Sequence, residues 1–595
     1  MIIANETNSI CSNMERKNDL TFSTPIGNIT GRVKQAKNGK TVCQLLGIPY
    51  VQSQPVAENR FRRCDISTKL PADSFEAVSF GNAAIQRAPS RQLSIISPEI
   101  PQCEDCLTIN IWTPSYIRQN DPIVGANQKL HPVFLFIHGG AFQQGTVSDE
   151  PFNGTNLCAH EEIVVVTFNY RLGILGFLDI PGVVEPNLGI RDQEVAIKWV
   201  ECYIQYFGGD SENITLCGFS VGSVSVACHT LNPNSDLNFN RAIMMSGALL
   251  GFFGFEKDQS VSTSDSREFL IQNGWKKSHQ SSDQENDSIR SFLQNLPLDV
   301  FKNQFVDSVS GKGLKFGPVL DFDLQNVDQI QKKMKVREIL VTSTHAEGEA
   351  FLYSLLGRET CNKLNKNDDK LYTNIITQMF SRFLPENSRR AENYVKICNF
   401  YRNKKVCFGN VEDTLFHKCA LAIGNYLNDY PVLKSIQFYL KLECEARPKI
   451  YFKLHDYVQS DHKTRYFDTD IVPEYLNCSH GFEIPLLFNN LNDGHSDTDQ
   501  EVSVKTMNLI GSVCRFDNIS SNEREKLFGQ QVKLNTGNLN PEIEMKNLSV
   551  SKSLEITTRD DLFHSRLHGI DYNRLYSDIL DFWDGIDQIS YQTLC

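Results

Sequence analysis

Long apolar runs are missing from this 595-residue chain. The longest nearly apolar stretch, Ala242 to Phe255, is broken by Ser246 and three glycines and is too short to span a bilayer. The opening residues, MIIANETNSICSNMERKNDL, lack a basic segment followed by an apolar one, so no export signal is legible. Excess positive charge is missing too. Against 71 acidic residues stand 59 Lys and Arg, a net charge of −12 with no basic stripe, which argues against nucleic acid as a partner. There is no HExxH, no Walker A sequence and no GxGxxG following a strand, so neither a metal nor an organic cofactor is expected. The 17 cysteines are odd in number and scattered, unlike a disulfide scaffold. Their one CxxC, Cys103 and Cys106, has no second half, and free or buried thiols are the expectation over zinc. Eight Asn-x-Ser/Thr triplets, among them Asn28, Asn153 and Asn213, would matter only in a secreted chain.

What is present is ordinary globular material: 41% hydrophobic and 22% charged residues, enough for a sizeable core. Residues 1–19 read as a polar tail and 20–595 as a single domain, without repeats or low-complexity linkers. HPVFLFI (131–137) and IVVVTFN (163–169) are short runs of β-branched and aromatic residues, the mark of strands buried on both faces of a mostly parallel sheet. The stretch 191–207 carries a helical apolar stripe, 214–218 a strand, and a helix follows from Val221. Strand and helix in alternation predict an α/β fold. Polar, broken sequence at 256–335 predicts helices and loops laid over the sheet, IYFKLHD (450–456) a further core strand, and Asn573–Asp584 a last helix packed on its own domain.

Gly218-Phe219-Ser220-Val221-Gly222 lies between that strand and that helix. A nucleophilic serine at a sharp strand-to-helix turn needs small residues two positions either side, where side chains would collide. An ordinary glycine-rich turn can spell the same pentapeptide, so its context carries the reading. A serine hydroxyl needs a base, and the chain order for this arrangement is serine, acid, histidine. His480, followed by glycine and anchored by an apolar segment, is the candidate base. The acid that orients it should follow the strand-like REILVTS, at Glu347 or Glu349; spacing does not choose. His345 competes as a histidine but precedes the acid. The run His138-Gly139-Gly140-Ala141 follows strand 131–137 and offers backbone N–H groups to an oxyanion, which makes His138 structural rather than a base.

Nine segments together resemble the type-B carboxylesterase and cholinesterase family over roughly residues 20–590: LLGIPYVQSQPVAENRFRR (45–63), EDCLTINIWTP (104–114), FIHGGAFQQG (136–145), FNYRLGILGFL (168–178), NLGIRDQ (187–193), IQYFGGDSENIT (204–215), the serine pentapeptide, AEGEAFLY (346–353) and SHGFEIP (479–485). The resemblance implies an α/β-hydrolase fold and hydrolysis of small carboxylic esters by a Ser220–His480–Glu347 triad. It implies oxyanion donors at Gly140, Ala141 and Val221, and structural ion pairs of Arg60 with Glu104 and Arg171 with Asp192. It implies a monomer or homodimer with no membrane span. Four departures stand against it. Phe219 replaces the family's usual acidic or amide residue before the serine, and Val221 its usual alanine. The choline-binding tryptophan is absent from 84–103, a stretch expected to line the substrate pocket. Partners for the family's disulfides are missing at Ala84 and Leu580, opposite Cys106 and Cys419. These point away from a cholinesterase and toward an intracellular, cytoplasmic carboxylesterase, a secreted form following only from a different N-terminus. A weak or inactive binding and adhesion protein, or a specialised lipid or hormone esterase, are the alternatives.

Overall fold

The computed structural model describes residues 19–86, 99–114, 130–249, 251, 254–255, 258–277, 282–303, 316–384, 389–404, 414–442, 448–455, 457, 478–491, 495–515, 533–534, 554–555 and 572–586. Among them, eleven strands form one sheet: β1 (Asp19–Thr24), β2 (Gly27–Gln35), β3 (Thr41–Pro49), β4 (Ser74–Glu76), β5 (Thr108–Pro114), β6 (His131–Ile137), β7 (Val164–Phe168), β8 (Gly209–Phe219), β9 (Arg241–Met245), β10 (Glu338–Thr344) and β11 (Lys449–His455). The order is β1-β2-β3-β5-β7-β6-β8-β9-β10-β11, with β4 against β2. From β7 to β11 every neighbour is parallel, while β1, β2, β3, β5 and β7 pair antiparallel in series. This is the α/β architecture that the alternation of elements predicted, and the α/β-hydrolase fold that the family resemblance implied.

The parallel strands are continuous apolar runs because both faces are covered. In β6, Val133, Leu135 and Ile137 enter one core and Phe134 and Phe136 the other. The helices that position the site are α1 (Leu188–Tyr203), α2 (Val221–Leu231), α3 (Gly348–Asn365, kinked at Gly357), α4 (Leu415–Gly424), α5 (Tyr430–Leu440), α6 (Glu483–Phe488), α7 (Asp497–Cys514) and α8 (Tyr572–Ile586). In α1, Ala196, Ile197, Trp199 and Val200 are buried, and every residue of α6 is. α8 turns Ile579, Leu580 and Trp583 into the core, where the Trp583 indole N–H donates to Tyr401 Oη at 2.8 Å.

Two buried ion pairs pin the loops below the site. Arg171 clasps Asp192 through Nη2 to Oδ1 at 2.6 Å and Nε to Oδ2 at 2.7 Å. Arg60 reaches Glu104 at 2.5 and 3.0 Å. Fork-on-carboxylate geometry satisfies both partners, which a buried charge requires. No helix among the described residues is long and apolar enough to cross a membrane.

Candidate active site

Three loops meet at the carboxyl ends of the parallel strands, where open α/β sheets place their functional groups. The first follows β8. Ser220 has φ 57° and ψ −124°, a conformation that costs an L-residue roughly 1–3 kcal/mol and persists because its surroundings impose it. Its N–H donates to Met245 O at 2.8 Å. The flanking glycines are obligatory: a Cβ on Gly218 would sit 2.1 Å from Gly222 O, and one on Gly222 2.2 Å from Ile137 O. The turn is therefore wedged against the end of β6. Ser220 itself stays partly accessible while Val221 is buried.

The second loop follows β6. Gly140, Ala141 and Phe142 have φ of 112°, 55° and 57°. Among the described residues, neither the Gly140 nor the Ala141 N–H has a protein acceptor. The Val221 N–H opens α2, at a position with no acceptor inside the helix. The loop is braced from behind. Tyr170 Oη donates to His138 O at 3.0 Å, and the Tyr170 ring stacks on the His138 imidazole at 4.4 Å. Gln86 exchanges two hydrogen bonds with the Gly145 backbone, at 2.8 and 3.0 Å. His138 is fully buried, its Nδ1 lies 2.8 Å from Gly139 O, and burial pushes its pKa down to about 4. It is part of the scaffold, as its place in the sequence indicated.

The third loop follows β10 and brings Glu347 to His480. His480 Nδ1 lies 2.6 Å from Glu347 Oε2. The other carboxylate oxygen, Oε1, accepts from Thr344 N at 2.6 Å, Ser246 Oγ at 2.6 Å and Ser343 Oγ at 3.2 Å. Burial alone would raise this carboxyl; the His480 imidazole and these donors outweigh it and hold the pKa below the ordinary value. The His480 loop is tied to the same turn by Ala346 N–H to Cys478 O at 3.0 Å and Ala350 N–H to Ser479 Oγ at 2.8 Å. Gly348 makes this possible, since a Cβ there would lie 1.9 Å from Ala420 O of α4.

The two glutamates point to different histidines, Glu347 to His480 and Glu349 to His417. Glu349, two residues on, is buried with an oxygen 3.8 Å from His417 Nε2, away from His480. His345 is half-buried, its backbone N–H donates to His455 O at 2.9 Å, and desolvation lowers its pKa to about 4. Sequence reasoning missed the groups behind Glu347. Ser246 Oγ also lies 3.1 Å from Glu483 Oε1. Glu483 is buried, and burial together with the charge of Glu347 pushes it up to about 7. Beyond Ser343, Asp429 is raised well above the usual range, by burial first and then by Glu347. An isolated glutamate inside the apolar GFEIPLLF was the one available signal for Glu483. Of the expected pocket stretch 84–103, residues 87–98 lie outside the described residues.

A serine on a strained strand-to-helix turn, an imidazole held by a carboxylate, and backbone N–H groups without acceptors among the described residues are parts that acyl transfer could use. Comparison with known proteins points the same way. The family model described as the carboxylesterase family matches residues 18–550. A cholinesterase of Mus musculus is 28% identical over 485 residues, which cover 79% of this chain and 74% of that protein. An acetylcholinesterase of Danio rerio is 35% identical over 241 residues, 38% of this chain and 36% of that one. A para-nitrobenzyl esterase of Bacillus subtilis strain 168 is 38% identical over 239 residues, 39% of this chain and 45% of that one. The last two alignments span less than half of the relatives' own length.

Proposed function

The chain belongs to the carboxylesterase family and is a carboxylic ester hydrolase; from that premise we propose that Ser220, His480 and Glu347 carry the reaction, with Gly140, Ala141 and Val221 as oxyanion donors. The observation that supports this most is the 2.6 Å contact of His480 with a Glu347 carboxylate whose second oxygen is already committed to three donors. Such a carboxylate has one use left, which is to fix the imidazole tautomer with Nδ1 protonated and Nε2 free to accept.

Ser220 Oγ attacks the ester carbonyl as His480 Nε2 takes its proton. Glu347 stays ionised and stabilises the imidazolium. The carbonyl oxygen, now an anion, accepts from the N–H groups of Gly140, Ala141 and Val221. His480 returns the proton to the leaving alcohol. Water, deprotonated by the same imidazole, then releases the acid from the acyl-serine. Every proton moves through His480, and no step uses a metal or an organic cofactor.

Hydrolysis of a short-chain nitrophenyl ester by the purified protein, beside Ser220→Ala, tests the proposal. Wild-type turnover that vanishes in the variant supports it. A well-folded wild type without turnover assigns the chain to the binding and adhesion alternative. A panel of esters of increasing acyl length separates a generalist from a lipid esterase: turnover confined to long chains selects the latter. The thirteen described cysteines are all free thiols, buried Cys106 and Cys419 among them, which supports a reducing compartment. Thiol titration of protein unfolded without reductant should find these thiols reactive; protected ones would contradict that assignment.

A further inference from the structure

The residue that precedes the nucleophile touches the base. Phe219 ends β8, its side chain is buried, and its ring centroid lies 4.8 Å from that of the His480 imidazole at an interplanar angle of 37°. Phe351, one turn along from Glu347, meets the same imidazole at 4.8 Å and 38°. The imidazole is thus gripped by two phenyl rings and tethered at Nδ1 by a carboxylate. We propose that Phe219 is a positioning residue for His480: its ring restricts rotation of the imidazole and offers a π-face to the imidazolium formed in each half-reaction. The inference rests on His480 being the base.

Two physical arguments carry it. First, a single hydrogen bond at Nδ1 leaves the imidazole free to swing about that contact, and the Nε2 lone pair must point at Ser220 within a narrow range. Rings packed on the imidazole remove that freedom. Phe219 is suited to the task because its backbone is fixed by the same wedged turn that fixes Ser220, so the clamp and the nucleophile move as one body. Second, the imidazolium is a transient cation, and an aromatic face within about 6 Å of a cation attracts it. That attraction exists in the transition state and is weak in the neutral ground state, which is the condition for raising kcat rather than lowering KM. Among the described residues, the other charged or titratable groups linked to the imidazole are Glu347 on Nδ1, Glu483 behind Ser246, and Asp429 beyond Ser343.

The test compares wild type with Phe219→Met, which keeps the bulk and removes the ring, and Phe219→Tyr, which keeps the ring. Phe219→Leu serves as a second ring-free variant if the methionine fails to fold. Each is assayed on a short-chain nitrophenyl ester from pH 5 to 9. Loss of the ring should lower kcat roughly 3- to 30-fold with KM changed by less than about 3-fold. It should also move the acid limb of the kcat/KM profile to lower pH, because the cationic imidazole has lost a stabilising face. Tyrosine should restore both kcat and the limb. A methionine or leucine profile that overlies wild type, or a change confined to KM, overturns the clamp. An inactive wild type whose Ser220 takes no organophosphate would instead defeat the catalytic reading on which it rests.

Discussion

Replacing Glu483 with glutamine should make the protein more stable, and by an amount that depends on pH. Glu483 is buried 3.1 Å from the Ser246 hydroxyl that also serves Glu347. Burial penalises the Glu483 carboxylate first, and the Glu347 anion that shares this donor adds to the penalty, so the pKa of Glu483 climbs from the ordinary 4.5 to about 7. The folded chain therefore holds this proton more tightly than the unfolded chain does. The stability that follows is fully present below pH 4.5 and is lost as pH rises through 7. A rise of that size corresponds to about 3 kcal/mol. Glutamine keeps the shape and never ionises, so the loss disappears. Glu347 behaves in the opposite sense: its lowered pKa contributes stability above pH 4.5 that is lost as pH falls, and it does so in both proteins. Asp429 likewise titrates in both, so the difference between them reports on Glu483 and on its coupling to Glu347. Urea unfolding of wild type and Glu483→Gln at intervals from pH 4 to 8 is the assay. The stability difference should grow by about 3 kcal/mol in favour of the variant across that range. A difference that does not vary with pH would refute the assignment of the proton to Glu483.

The remaining predictions concern the triad and its scaffold. Glu347→Gln removes the anion that holds the His480 tautomer and should lower kcat by about 10³-fold or more with little change in KM; a loss under tenfold would contradict its role. Gly222→Ala forces a Cβ to 2.2 Å from Ile137 O and should cost on the order of 4 kcal/mol or prevent accumulation of folded protein, read by expression and urea unfolding. Asp192→Asn leaves the buried Arg171 guanidinium without its counter-charge and should destabilise by about 3–5 kcal/mol; a midpoint within error of wild type would show that the pair contributes nothing.

Much of the parallel half of the sheet was legible because strands buried on both faces advertise themselves as short runs of β-branched and aromatic residues. β6, β7 and β11 fall where the sequence places them, and β8 extends to Gly209 from the run that begins at Ile214. The antiparallel half was not. β2, GNITGRVKQ, is half exposed and interrupted by glycine, so it has no continuous apolar run to betray it. At the site, Ser220 and the Gly139-Gly140 loop were legible because backbone geometry demands glycine at fixed offsets. The choice of Glu347 over Glu349 was not legible from spacing, because both follow the same strand and only the direction in which the helix start points decides between them. Residue-by-residue resemblance supplied that choice, and the His480 contact agrees with it. Ser246, Glu483 and Phe351 escaped notice for a different reason: they meet His480 or Glu347 only in three dimensions, and no local pattern requires them.

The most direct test of the account is where a covalent probe lands. An organophosphate should modify the wild-type protein once, and peptide mass spectrometry should place the adduct on Ser220. The rate should fall by on the order of 10³-fold or more in His480→Ala, because the hydroxyl is a weak nucleophile without its base. Modification at another residue, or a Ser220 that reacts equally fast without His480, would contradict the claim that these residues form a working catalytic unit.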